Sequence, residues 1–240
     1  MTVGKLYGVG IGPGDRELLT LKAYRILTTV PVIAYPTMEN GKARARALVA
    51  DLIKPQQIEI PYPLPFSREK SSQPYYEAAA SQIASHLKQG RDVAVLCLGD
   101  PMLYGTFMYI YKILAPRFPV EVVPGVSSIM AAAALLGAPL SYRDDVFSVI
   151  PATLHREIIV DRLSRCDGAA IIKLGRHFPK VREILRQLGL IDRALYIERA
   201  TWVNQRVIPI EEVQLSDITY WSLILIPSKS YGKTSHCHLE

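Results

Sequence analysis

Three short stretches place glycine beside residues that could serve a ligand. The first is Gly8-Val9-Gly10-Ile11-Gly12-Pro13-Gly14-Asp15. Glycines at that density let another group approach the main chain closely and permit left-handed backbone. The second is Leu98-Gly99-Asp100-Pro101-Met102-Leu103-Tyr104-Gly105-Thr106. There Gly99 allows close approach, Asp100 can accept hydrogen bonds or face a cation, and Pro101 sets the turn. The third is Val123-Pro124-Gly125-Val126-Ser127-Ser128, in which either serine could also be a plain helix N-cap.

Taken singly, each stretch has a structural explanation: a glycine turn can simply pack a helix on a strand, and an Asp-Pro turn is a common strand ending. Three glycine-bearing loops at strand ends are harder to explain by packing alone. The first is not a dinucleotide fingerprint. No window fits G-x-G-x-x-G, and the following strand ends in Ala34-Tyr35-Pro36 rather than an acidic residue. A nicotinamide oxidoreductase is therefore disfavoured. The absence of GxxxxGK[ST] excludes a P-loop.

The elements that must position these loops alternate short apolar runs with helical periodicity, so the expected fold class is α/β with mainly parallel strands. Strands are predicted at 5–11, 31–35 (closed by Pro36), 57–60, 93–98 and 120–123, with helices at 16–29, 43–53, 75–89 and 105–114. The stretch 61–74 contains Pro61, Pro63, Pro65 and Pro74 and is expected to be irregular, either a functional flap or a solvated insertion. Beyond it, helices are predicted at 127–136, 155–163 and 179–188, and strands at 146–150, 169–174, 195–197 and 222–226. A domain boundary is placed near Pro124, giving 1–123 and 124–240. Ligands on open α/β sheets gather outside the carboxyl ends of the strands, where all three glycine loops fall.

Bulk properties narrow the partners. With 240 residues, 49% of them hydrophobic, the chain can bury a core without staples. Cys97, Cys166 and Cys237 lack CxxC spacing, which fits a reducing cytoplasm and neither a disulfide framework nor zinc. No segment looks like a signal peptide or a membrane span. The net charge of +6 is spread out rather than gathered in a stripe, and Lys42-Ala43-Arg44-Ala45-Arg46 reads as the polar face of a helix. That pattern speaks against nucleic acid and suits a polyanionic small molecule. His236-Cys237-His238 has ligand types but lies at a terminus, so no metal is expected. His86, His155 and His177 are expected on helix surfaces.

GxGPGD, GDPxxYG and VPGxSS, in this order and spacing, resemble the tetrapyrrole methylase family over nearly the whole chain. The resemblance implies two α/β domains with an active-site cleft between them, a homodimer, and S-adenosyl-L-methionine as methyl donor. Carried over position by position, the cofactor contacts are Pro13, Leu98, Gly99, Asp100, Leu103, Tyr104, Thr106, Ser127 and Ser128, with Leu174 and Ala200 in the second half. The stretches 32–36, 90–97 and 105–109 are similar to the branch that methylates C-20 of precorrin-2 or its cobalt complex, in cobalamin biosynthesis. Leu98 departs from that branch, whose members often carry an acidic residue before GDP.

Transfer of a methyl group from a sulfonium to an enamine-like carbon needs alignment more than a protein nucleophile. No catalytic group is therefore assigned, and Tyr104 and Asp100 are the first to test for orienting substrate or helping proton loss. The resemblance implies a polycarboxylate tetrapyrrole substrate held by Arg and Lys, which suits the positive charge. Methylation of another tetrapyrrole carbon, as in uroporphyrinogen III, and non-catalytic tetrapyrrole binding are the competing readings.

Overall fold

The structure, a computed structural model, describes residues 2–38, 40–65 and 71–230. The chain divides into two compact units, Met1–Ser127 and Ser128–Glu240.

In the first unit, strands β1 (Leu6–Gly10), β2 (Val32–Thr37), β3 (Ile58–Pro63), β4 (Val93–Cys97) and β5 (Val120–Val123) form one sheet. Their order is β3-β2-β4-β1-β5, and every neighbouring pair is parallel. Alternation along the strands divides the core. Val93, Val95 and Cys97 pack with helices α3 (Gln73–Lys88) and α4 (Phe107–Leu114). Ala94 and Leu96 pack with α1 (Leu21–Thr29) and α2 (Arg44–Leu48) on the opposite face. Central β4 is thus buried throughout, which explains its unbroken apolar sequence.

The second unit departs from the expectation of parallel strands. Its strands β6 (Phe147–Pro151), β7 (Gly168–Ile172), β8 (Leu195–Glu198), β9 (Arg206–Pro209) and β10 (Ser222–Ile226) lie in the order β6-β7-β10-β8-β9. Only β6 and β7 pair in parallel; β10 runs antiparallel to both β7 and β8, and β8 to β9. Strand β9, largely exposed, lacks a strong apolar pattern and escaped the sequence reading. Helices α6 (Arg156–Ser164) and α7 (Phe178–Gln187) cover one face, and α5 (Ser128–Leu135) packs on the other.

Several local expectations are corrected by capping and by position in the sheet. The helix expected over 16–29 is split. Asp15 accepts from the Glu17 N–H and starts a 3-10 turn at Arg16–Leu18, after which Thr20 accepts from the Ala23 N–H and starts α1. The helix expected over 43–53 stops at Leu48, and turns follow. Pro36 does not close β2: pairing with β4 ends at Ala34, so its missing N–H is not needed, and the strand continues against β3 to Thr37. Pro61 and Pro63 are likewise regular, because β3 is an edge strand where proline is tolerated. Pro74 lies in the first turn of α3, and residues 66–70 of the expected loop lie outside the described residues.

The edge strand is tied to the helix layer by charge. Arg46 donates from Nε and an Nη to the two carboxylate oxygens of Glu59, both at 3.0 Å. This pairing holds the Glu59 carboxyl below its ordinary range, against the opposing effect of burial. A carboxyl lowered in the folded state stabilises above its unfolded pKa, and that contribution is lost as pH falls through the folded value. Glu59→Gln is therefore expected to cost about 0.5–1 kcal/mol in urea unfolding at pH 7, for a partly exposed pair. The difference from the parent should shrink towards zero near pH 3. A gap that persists unchanged at pH 3 would assign the cost to packing instead.

Candidate functional site

The parallel register brings the carboxyl ends of β4, β1 and β5 level, with Gly10 opposite Cys97 and Val9 opposite Val123. The three glycine loops therefore leave the sheet side by side. They then interlock through their main chains. A Cβ on Gly125 would lie 2.2 Å from the Gly99 carbonyl oxygen and 2.8 Å from Gly10 Cα; one on Gly10 would lie 2.5 Å from Gly125 N. No L side chain fits between backbones at these separations. The Gly99 N–H donates to the Gly12 carbonyl at 2.8 Å, and the Ile11 N–H to the Cys97 carbonyl at 2.9 Å. Gly12 and Gly99 both adopt positive φ, 78° and 69°.

Asp100 completes the lock. Its Oδ1 accepts from the Met102 N–H at 2.8 Å, within its own turn, and its Oδ2 accepts from the Gly125 N–H at 3.1 Å, across to the third loop. Charge-assisted bonds of this kind are stronger than neutral ones. Asp100 thus carries at least a structural duty: it fixes two loops to each other.

The remaining predicted residues divide by environment. Pro13 is buried, and Leu98 packs partly against the core beside α1 and α2. Leu103 and Tyr104 are well exposed, at 40% and 44%, and Tyr104 holds φ 55°. A non-glycine residue in that region carries strain of about 1–3 kcal/mol, which persists only where the surroundings impose it. Thr106 is less open than the sequence suggests: as N-cap of α4 it sets its hydroxyl 3.9 Å from Cys97 Sγ, beneath the loop. Ser127 is half-buried at the close of the first unit, and exposed Ser128 opens α5.

In the second unit, β7 and β8 both run antiparallel to β10 and hence parallel to each other. Leu174 and Ala200 accordingly emerge at the same edge of that sheet. Both are buried, Leu174 fully. Strain flanks both: Lys173 has φ 60°, Arg199 φ 50° and Thr201 φ 70°. The sequence reading missed this and also Glu198, which is fully buried at the end of β8. Its available signal was an acid at an inward position of Leu195-Tyr196-Ile197-Glu198.

Among the described residues no group of His, Cys, Asp and Glu could hold a metal ion, and His236-Cys237-His238 lies outside them. His86 is half-buried rather than on the open surface, and burial together with nearby Arg91 pushes its pKa down. No helix among the described residues is long and apolar enough to cross a membrane.

An all-parallel sheet with three interlocked glycine loops at its carboxyl edge defines an α/β ligand-binding unit, and the particular loops define its family. The model of the tetrapyrrole (corrin/porphyrin) methylases matches residues 5–214, and the chain belongs to that family. It is 41% identical to a precorrin-2 C(20)-methyltransferase of Sinorhizobium sp over 94% of this chain and 96% of the relative. It is 33% identical to a probable cobalt-precorrin-2 C(20)-methyltransferase of Methanocaldococcus jannaschii, over 93% and 96%. Among solved structures it resembles a uroporphyrin-III C-methyl transferase from Thermus thermophilus complexed with S-adenyl homocysteine. That likeness has a TM-score of 0.68 and 27% identity, over 96% of this chain and all of the other.

Two outcomes are expected from this geometry. Gly125→Ala should lower stability by about 1–3 kcal/mol in urea unfolding, because the added methyl meets backbone that has no rotamer to yield. An unchanged midpoint would show that the loops can separate without cost. Burial pushes the Cys97 thiol up to about 11, outweighing hydrogen bonds from the Phe107 main chain and Thr106. Only about one thiol in a thousand is then ionised at pH 8. In native protein the Cys97 peptide should stay unlabelled by iodoacetamide at that pH and label fully in guanidinium.

Proposed function

We propose that this chain is an S-adenosyl-L-methionine-dependent methyltransferase that methylates C-20 of precorrin-2, or of its cobalt complex, in cobalamin biosynthesis. The observation that carries the reading is the interlocked glycine loops. They meet main chain to main chain at the carboxyl ends of the strands, and more than nine-tenths of the chain aligns with C(20)-methyltransferases, at 41% and 33% identity.

The residues present fit the donor. A Cβ at Gly99 would meet Ser127 Cα at 3.9 Å and the Val126 carbonyl oxygen at 4.0 Å, so the left-handed turn seats the second loop in ordinary contact with the third. Leu103 and Tyr104, exposed in the same loop, offer apolar surface suited to a nucleoside. The proposed contacts are Pro13, Leu98, Gly99, Asp100, Leu103, Tyr104, Ser127 and Ser128, with Leu174 and Ala200 from the second unit. Thr106 would act through the start of α4 rather than through its hydroxyl, which faces Cys97.

When bound, the donor supplies a sulfonium methyl with a good thioether leaving group. The protein's own part is alignment. Interlocked backbones cost no reorganisation at the moment of reaction, and positioning of this kind is worth several kcal/mol of barrier. Asp100 acts chiefly through the geometry of the second and third loops. Tyr104, exposed on a strained turn, would orient a substrate ring. The +6 charge suits a polycarboxylate substrate. A cytoplasmic homodimer completes the reading.

The test is turnover followed by mass spectrometry, with metal-free precorrin-2, its cobalt complex and uroporphyrinogen III offered separately. Gain of one methyl on either form of precorrin-2 is expected, with Tyr104→Phe slowed by about tenfold or more. Methylation of uroporphyrinogen III alone would replace the C-20 assignment, and donor binding without methylation of any substrate would favour a carrier.

A further inference from the structure

Glu198 is the most deeply buried charged side chain described, with no exposed surface, in a strand whose other residues are apolar or aromatic. Its partners are specific. The Tyr196 hydroxyl donates to Oε1 at 2.8 Å, Arg199 donates to Oε2 at 2.9 Å, and an Nη of Arg206 lies 3.7 Å from Oε2. Buried ion pairs seldom add stability over apolar residues of the same volume, so such a group is better understood through the conformation it selects.

The conformation at stake is the next three residues. Arg199 and Thr201 both sit at positive φ, and Thr201 is β-branched, a residue type that resists that region. Between them lies Ala200. Arg199 is gripped twice: its side chain by Glu198, and its main-chain N–H by the Trp221 carbonyl at 2.7 Å. The Arg199 carbonyl in turn accepts from the Trp202 N–H at 2.9 Å, and the Thr201 N–H donates to Gln205 Oε1 at 3.0 Å. Arg206 begins β9 directly opposite Glu198, so the carboxylate ties both ends of the loop 199–205 together.

We propose that Glu198 is a positioning residue for the methyl donor: through Arg199 and Arg206 it holds Ala200, between two strained neighbours, in the loop shape that receives the cofactor. The proposal rests on the methyltransferase reading above and names a residue outside its set of contacts. Glu198 itself touches no ligand. It acts by making the loop rigid before binding, so that the ordering cost is not met at the moment of association.

The test compares the full-length parent, Glu198→Gln, and an apolar replacement of the cluster, Tyr196→Phe/Glu198→Leu/Arg199→Met. Calorimetry with S-adenosylhomocysteine gives Kd, turnover gives kcat at saturating donor, and thermal unfolding gives Tm. For Glu198→Gln, Kd is expected to rise about tenfold or more with kcat within about threefold, the pattern of lost binding geometry rather than lost chemistry. For the apolar cluster, Tm is expected to match or exceed the parent while Kd stays raised to the same extent. Donor affinity that recovers along with Tm would reduce Glu198 to a stabilising role and overturn the proposal. A parent that binds with Glu198→Gln binding equally well overturns it too, and leaves the proposed function standing. Failure of the parent to bind the nucleoside would overturn the proposed function, and the positioning role with it.

Discussion

The contact between the main chains at Gly10, Gly99 and Gly125 is the constraint on which the first unit turns. Three strands can deliver three loops to one place only if they are parallel, adjacent and in register, and β4, β1 and β5 are all of these. The loops can then close on each other only if none carries a side chain at the point of contact. The glycines therefore serve proximity, and the proposed ligand surface is the by-product of that proximity. Asp100 converts it into a defined geometry by bonding Gly125 N–H and its own turn at once.

The second unit reaches a comparable end by different means. Its sheet is mixed, and the loops after β7 and β8 carry strained non-glycine residues, Lys173, Arg199 and Thr201, with the positive-φ Gly175 beside the first. Strain of that kind needs an external hold. Around β8 the hold is electrostatic, supplied by a buried carboxylate that gathers Tyr196, Arg199 and Arg206. Burial and the bond to Glu198 also drive the Tyr196 hydroxyl well above the usual tyrosine range, so it stays a donor at any physiological pH. The first unit is held by main chain meeting main chain with Asp100 bonded across it, the second by a cluster of side chains around Glu198.

Departures from the sequence reading follow a pattern. Prolines 36, 61 and 63 looked like strand breakers, and would be in a central strand; their place at or beside the sheet edge removes the penalty. Edge position is a property of strand order, which no local window contains. The split at Thr20 was a matter of capping, and a Thr three residues before Ala23 was in plain view. Thr106 was grouped with the ligand contacts because it follows GDPxxYG, yet its hydroxyl turns under the loop towards Cys97. Motif membership identifies the segment, while the helix start decides which way the side chain points.

The sequence alone determined the alternation of strands and helices, the buried central strand, the three glycine loops and, through their order and spacing, the family. These are local or nearly local properties: periodicity, chain reversals, and residues whose missing side chains advertise close approach. Tertiary structure decided the direction of the strands in the second sheet, the strain at Lys173, Arg199 and Thr201, and the partners of Glu198. The reason is physical. A buried charge and a left-handed arginine are each unfavourable in isolation, so neither is predicted by local preference. They are stable only together, once hydrogen bonds between strands distant in sequence have brought Trp221 and Arg206 alongside.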